Sequence, residues 1–250
     1  MTSKYAFSIS FSLVGFDQIV NMAANIRYMS GGQINVPMVI RAPTGAGMQL
    51  GATHSQSFET WLCEVPGLKV VAPSNPKDAL GLLRSSIKDP NPVIFAESAG
   101  LYGTKGDVPE EYFDIEIGKA DIKQEGTDIT LISYGHGMPM INKVSEELSK
   151  KNVSSEIIDL RSLSPIDYDL INKSVQKTGR ALLLDTARKN GGVMAEVATN
   201  INEDSGDYLD GPILRVGSED VPWPYNRKLE QHAMSSVPKI MNKIEQGYSL

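Results

Sequence analysis

Short runs of buried-strand character alternate with stretches whose apolar residues return every three or four positions, and this alternation restricts the fold more than any other feature. Phe16, Ile19, Val20, Ala23 and Ala24 repeat at helical spacing, with Asp17, Asn21 and Asn25 on other faces, and Ser30-Gly31-Gly32 closes the segment. Val36 to Ala42 reads as a strand, and Leu68 to Val71 as another. Ser74 or Asn75 is placed to cap a helix carrying Pro76 in its first turn, with Ala79, Leu82, Leu83 and Ile87 as its apolar face. Asp89-Pro90-Asn91-Pro92 stops that helix ahead of a strand over Val93 to Phe95.

A second series begins at Ile129–Ser133. It continues through a helix from about Pro139 to Lys150, a strand at Glu156–Leu160 and a helix from about Ile166. A strand at Ala181–Asp185, a helix from about Gly192 and a strand at Ile213–Val216 complete it. Strands interleaved with helices need parallel βαβ crossovers. The predicted fold is therefore two parallel-sheet α/β domains, over 1–110 and 119–250. Between them Gly103, Gly106, Pro109 and Glu110-Glu111 read as a connection.

Composition narrows the function classes. A formal charge of −6 argues against general affinity for nucleic acid or anionic membranes. No apolar run approaches the ~18–20 residues that span a bilayer, and serines at 8, 10 and 12 interrupt any signal-peptide core. Cys63 is the single cysteine, so an intrachain disulfide is impossible. A cytoplasmic protein is expected.

Three histidines are candidates for chemistry. His54 sits among Thr53, Ser55, Gln56 and Ser57 in a loop opened by Pro43-Thr44-Gly45-Ala46-Gly47, a setting that suits proton transfer near neutral pH and equally suits a loop histidine satisfied by its neighbours. Gly135-His136-Gly137, with Asp159 near the end of the next strand, is a partial dinucleotide fingerprint, but Met140 replaces the third glycine and a simple turn is favoured. His232 carries no motif. Asp220-Val221-Pro222-Trp223-Pro224-Tyr225 is rigid and aromatic, fit for an interface or for a packed C-terminal loop.

Longer stretches carry a resemblance. Phe16-Asp17-Gln18-Ile19-Val20-Asn21, Arg27-Tyr28-Met29-Ser30-Gly31-Gly32, Gly51-Ala52-Thr53-His54-Ser55-Gln56-Ser57, and Pro66-Gly67-Leu68-Lys69-Val70-Val71-Ala72-Pro73 resemble the beta subunits of thiamine diphosphate-dependent 2-oxoacid dehydrogenases. Asp159-Leu160-Arg161-Ser162-Leu163-Ser164-Pro165, Lys177-Thr178-Gly179-Arg180 and Asp220 to Tyr225 continue it in consistent order. The resemblance implies a pyrimidine-binding domain followed by a transketolase C-terminal-like domain. It further implies assembly with an alpha subunit, a second beta subunit and a lipoyl acyltransferase.

In that family the alpha chain holds the diphosphate and magnesium, while the beta chain holds the aminopyrimidine. Phe11 matches the aromatic that stacks on the pyrimidine, Phe7 another pocket-lining position, and His54 the histidine serving substrate and acyl transfer to lipoyl. Met38, Ser86, Asp89 and Asn91 match positions whose main-chain oxygens bind potassium in some relatives. The position of the family's cofactor-activating glutamate falls before Met1, so the resemblance implies an N-terminally shortened subunit.

The expected function is that of a beta-type subunit decarboxylating a 2-oxoacid, with pyruvate favoured by Met29-Ser30-Gly31-Gly32. A fragment or split-gene product, a start site set too late, and a non-catalytic assembly subunit all remain open. So does the C-terminal portion of a transketolase or deoxyxylulose-phosphate synthase.

Overall fold

The computed structural model describes residues 2–5 and 8–248. Its strands sort into two five-stranded sheets. The first contains β1 (Thr2–Tyr5), β2 (Met38–Thr44), β3 (Lys69–Val71) and β4 (Val93–Ser98). The second contains β5 (Asp121–Gln124), β6 (Ile129–Ser133), β7 (Ser155–Asp159), and later β9 (Ala181–Arg188) and β10 (Leu214–Ser218). Between β7 and β9 lies β8 (Ser162–Ser164), which leaves the second sheet and joins the first.

The first sheet runs β1-β2-β4-β3-β8, all parallel except β8, which lies antiparallel to β3 with Val70 opposite Ser164. The second runs β10-β9-β6-β7-β5, parallel except for the edge strand β5. Residues 102–120 contain no strand or long helix and carry the chain from one sheet to the other.

The helices are α1 (Ile26–Met29), α2 (Glu59–Cys63), α3 (Pro76–Lys88), α4 (Met138–Ser149), α5 (Tyr168–Thr178), α6 (Val193–Ser205), α7 (Arg227–Ala233) and α8 (Val237–Tyr248). The expected helix after Phe11 is not one regular rod. Ile9–Gly15 winds as a tight 3-10 segment, Gln18–Ala23 as a wide π turn, and only Ile26–Met29 is α. Ile19, Ala23 and Ala24 are nonetheless buried, because the apolar spacing selects the face whatever the local pitch. Asn75 accepts from Asp78 N at 2.9 Å and caps α3, with Pro76 at its first position. Gly179, at φ 68°, closes α5 in the left-handed conformation.

Side-chain alternation along the strands builds three cores. Ile129, Leu131, Leu182 and Leu184 face α4 and α8. Val39, Val71, Val93 and Phe95 face Leu82 of α3 and Ile115 of the connection. The opposite faces meet in one continuous core, where Val70 and Ile94 of the first sheet share a cluster with Ile132, Ile158 and Leu183 of the second. Strands buried on both faces are expected of parallel sheets. The shared core sets the ends of β2 and β4 beside those of β6 and β9.

Polar ties reinforce this seam. Ser74 donates to Asp159, and Lys123 bridges Asp78 at 2.8 Å and Asp121 at 2.6 Å. Arg161, at φ 55°, sends its guanidinium to the carbonyls of Lys119 and Ala120.

Candidate active site

The C-terminal end of β2 opens into the loop that carries His54. In parallel α/β sheets ligands bind at such carboxyl ends. The loop closes at its neck: Gly45 N donates to Gln56 O at 3.2 Å, and Gln56 Nε2 donates to Ala52 O at 2.7 Å. His54 N reaches Gly51 O at 3.4 Å. Against this loop lies the 3-10 segment capped by the buried Ser8. The Ser8 hydroxyl accepts from Ser10 N and donates to His54 O, both at 3.2 Å.

That junction brings two predicted residues together. The Phe11 ring stacks on the His54 imidazole with centroids 5.0 Å apart and planes 23° from parallel. Phe11 is 46% exposed. His54 is half-buried, and its Nδ1 has no hydrogen-bond partner among the described residues. Ser10 Oγ, Ser55 Oγ and Ser57 Oγ are also buried and unpartnered there. An unpaired buried polar group costs about 1–3 kcal/mol. A partly exposed aromatic ring stacked on the histidine, in segments that also carry such atoms, fits a flat heteroaromatic ring. Phe7 lies outside the described residues.

The other predicted positions lie elsewhere. Met38 opens β2, Ser86 is buried in α3, and Asp89 caps that helix ahead of Asn91. Asp89 accepts from Asn91 N at 2.9 Å and pairs with Lys69. Its carboxylate is therefore engaged, and a potassium ion at this turn would be held by main-chain oxygens. His136 sits in the turn between β6 and α4, donates its N–H to Ser98 Oγ at 3.1 Å, and lies against Gly100. Burial lowers its pKa. Gly137 is needed because a Cβ there would lie 2.0 Å from Ser133 Oγ. Asp159, the fingerprint's acid, is fully buried and raised to about 6 by that burial, facing Ser74 rather than a ribose site. His232 lies on α7, its carbonyl accepting from Lys239.

Several residues around the loop carry no sequence signal. Glu59 opens α2 just beyond it, wholly buried, and accepts from the Thr44 hydroxyl. Burial lifts its pKa to about 7, with Asp185 of β9 adding repulsion. The Tyr134 hydroxyl donates to Asp185 at 2.7 Å. Arg188 Nη1 donates to Gln56 Oε1 at 3.4 Å and Nη2 to Val221 O at 3.1 Å. Trp223 is buried and lines a small pocket with Phe58, Trp61 and Arg188.

Comparison with known proteins decides the family. The chain matches the family models "Transketolase, pyrimidine binding domain" over residues 5–105 and "Transketolase, C-terminal domain" over residues 118–240. It is 41% identical over 238 residues to the pyruvate dehydrogenase E1 component subunit beta of Porphyra purpurea, covering 95% of this chain and 72% of that protein. The chain belongs to the pyruvate dehydrogenase E1 beta-subunit family.

Its relative of that name from Rhizobium meliloti (strain 1021) is 42% identical over 239 residues, covering 95% of this chain and 52% of that protein. This chain therefore spans about half the length of the Rhizobium relative. The fold matches a solved structure described as a split-gene transketolase, an inactive beta4 tetramer. That match has TM-score 0.77 and 20% identity, covering 99% of this chain and 76% of that one. The E1 beta subunits and the transketolase domains belong to thiamine diphosphate-dependent enzymes. Among the described residues no helix is long and apolar enough to cross a membrane.

Proposed function

We propose that this chain is the beta-type subunit of a 2-oxoacid dehydrogenase, with pyruvate the favoured substrate, acting at a thiamine diphosphate site completed by an alpha subunit. The stacked Phe11–His54 pair, bordered by unpaired buried polar atoms, carries the reading. Thiamine diphosphate, when bound, supplies the electron sink for decarboxylation. Phe11 would present its ring to the aminopyrimidine, where offset stacking adds about 0.5–1.5 kcal/mol to burial. Phe7 is assigned a second place in that pocket.

His54 would hold the substrate carboxylate or pass a proton during acyl transfer to a lipoyl group. Among the described residues its Nδ1 has no hydrogen-bond partner, and the ring is half-buried, which suits both tasks. Under this reading residues 1–110 form the pyrimidine-binding domain and 119–250 the transketolase C-terminal-like domain. The alpha subunit holds the diphosphate and magnesium, Met38, Ser86, Asp89 and Asn91 surround a potassium site, and a second beta subunit and a lipoyl acyltransferase complete the complex. A cytoplasmic location belongs to the same proposal.

The test is reconstitution with a co-expressed alpha-type subunit, thiamine diphosphate and magnesium. Expected is pyruvate-dependent reduction of an artificial electron acceptor only when both chains are present. Turnover of sugar phosphates instead of 2-oxoacids would overturn the proposal, as would a stable complex that consumes no 2-oxoacid.

A further inference from the structure

The Glu230 carboxylate is buried, 2% exposed, on the short helix α7 of the C-terminal half, yet it reaches the loop of the first sheet that carries His54. Gly47 N donates to Glu230 Oε1 at 3.1 Å. Gln49 N donates to Oε1 at 3.1 Å and to Oε2 at 3.2 Å. Gly47 stands at φ 108° and Gln49 at φ 57°. A non-glycine residue in that left-handed region is strained. Main-chain N–H groups turned inward by such conformations form a concave anion seat, and here the anion is a side chain of the protein itself.

Local sequence puts the carboxylate there. Asn226 caps α7 by accepting from Lys228 N at 3.0 Å and Leu229 N at 3.3 Å, which starts the helix at Arg227, one turn before Glu230. Tyr225, just before the cap, lies 3.8 Å from where a Gly51 Cβ would stand, and Met234, just past the helix, 3.5 Å from the same point at Gly47. The rigid Asp220–Tyr225 stretch thus delivers α7 to the loop. Elsewhere between Thr44 and Gln56 the loop is held by its own short turns, by the Ser8 hydroxyl on His54 O and by Arg188 on Gln56 Oε1, contacts made away from the Gly47–Gln49 turn.

We propose that Glu230 is a positioning residue: its carboxylate holds the Gly47–Gln49 turn and thereby sets the His54 imidazole against Phe11. The inference rests on His54 being the working group of the site. It makes the C-terminal half a determinant of active-site geometry, although that half supplies no side chain to the Phe11–His54 stack. A hydrogen bond to a charged acceptor is stronger than one between neutral groups, and here the carboxylate receives two N–H groups from a turn held in a left-handed conformation.

The experiment follows the three histidine ring signals by NMR in the full-length chain, without cofactor or partner, so it can succeed or fail whether or not the complex turns over pyruvate. His54→Asn identifies the His54 signal, which in the unaltered chain is displaced upfield by the Phe11 ring. Glu230→Met removes both acceptors at similar volume. Expected is loss of most of that displacement in E230M, with His136, which lies outside α7, unmoved, and a smaller change in E230Q, which keeps one acceptor oxygen. A folded E230M chain with the His54 signal in place overturns the proposal, as does a movement of the His136 signal equal to that of His54.

If E230M does not fold, amide exchange in E230Q decides the matter. A rise of roughly tenfold at Gly47 and Gln49, confined to that turn, supports the clamp. Unchanged exchange there refutes it.

Discussion

Thr44, the last residue of β2, donates its hydroxyl to the carboxyl of Glu59 fifteen residues later, inside the seam between the two sheets. The site loop begins at one of these residues and ends just before the other, so the contact closes its base. Burial raises Glu59 from 4.5 to about 7, and Asp185 opposes its ionisation further. A carboxyl held above its unfolded value binds its proton more tightly in the folded chain. The stability it contributes is complete below about pH 4.5 and is lost as pH climbs through 7. At about 1.4 kcal/mol for each pH unit between the two values, the loss approaches roughly 3 kcal/mol by pH 8. Glu59→Gln keeps an acceptor for Thr44 and cannot ionise. Denaturant unfolding should give nearly equal stability for the two chains at pH 5 and a more stable variant at pH 8. Parallel curves from pH 5 to 8 would remove Glu59 as the cause.

Within a reconstituted complex, His54→Gln should lower pyruvate turnover by about 10²–10⁴, the usual range for losing one positioned acid–base group. The imidazole is half-buried and its Nδ1 makes no hydrogen bond among the described residues, so the thermal midpoint of the chain should barely move. Phe11→Leu retains apolar bulk but not a flat face and should weaken cofactor binding more than turnover at saturating cofactor. Titrating thiamine diphosphate against both variants separates the two roles. If His54→Gln turned over at the wild-type rate, the imidazole would be a structural neighbour only.

The sequence reading succeeded where one element obeys one strong local rule. Asn75-Pro76 marked the start of α3, and the apolar run Ile129–Ser133 coincided with β6. It missed β5, whose Asp121–Gln124 is half-exposed and polar, and α2, whose buried Glu59 and Thr60 look like loop residues. It also missed β8, because three residues crossing to another sheet leave no periodicity to detect. The site was less legible still. No spacing rule relates Phe11 to His54, 43 positions apart, and only family resemblance nominated both. Glu230 gave no local sign, since its partners are main-chain N–H groups that leave no mark on sequence.

Lys123 is the main cation of the interdomain network. Asp78, 1% exposed, faces it at 2.8 Å, with the Arg161 guanidinium farther off at 3.6 Å. Breaking a buried pair costs about 3–5 kcal/mol, and the loss here should fall at or below the lower end, because Lys123 is partly exposed and Asp78 keeps Asn75 Nδ2 at 2.6 Å and the Arg161 guanidinium. Lys123→Met should therefore destabilise the chain, whereas Lys123→Met combined with Asp78→Asn should recover much of the loss. Urea unfolding of the single and double variants measures the coupling. Additive losses would show that the two residues stand apart energetically.

Gly67 offers a sharper test of how the irregular helical segment docks. Its φ is +92°, and a Cβ there would lie 2.1 Å from the Ala24 carbonyl oxygen, so the chain before β3 presses directly on the backbone of the segment after Phe11. Gly67→Ala meets both left-handed strain and a clash with backbone that cannot rotate away, which together should cost about 3 kcal/mol or more. Gly15, within the same segment, has open space around it and no such φ. Gly15→Ala should be neutral or slightly stabilising by restricting the unfolded chain. Thermal unfolding of the two variants should differ by roughly 6 °C or more. Because Ala24 follows directly on the π turn Gln18–Ala23, which continues the 3-10 segment Ile9–Gly15 that holds Phe11, the fall in Gly67→Ala should also release the upfield displacement of the His54 ring signal. A destabilised Gly67→Ala chain that kept that signal in place would mean the Phe11–His54 stack is held by the Ser8 cap and the loop itself, independently of this docking.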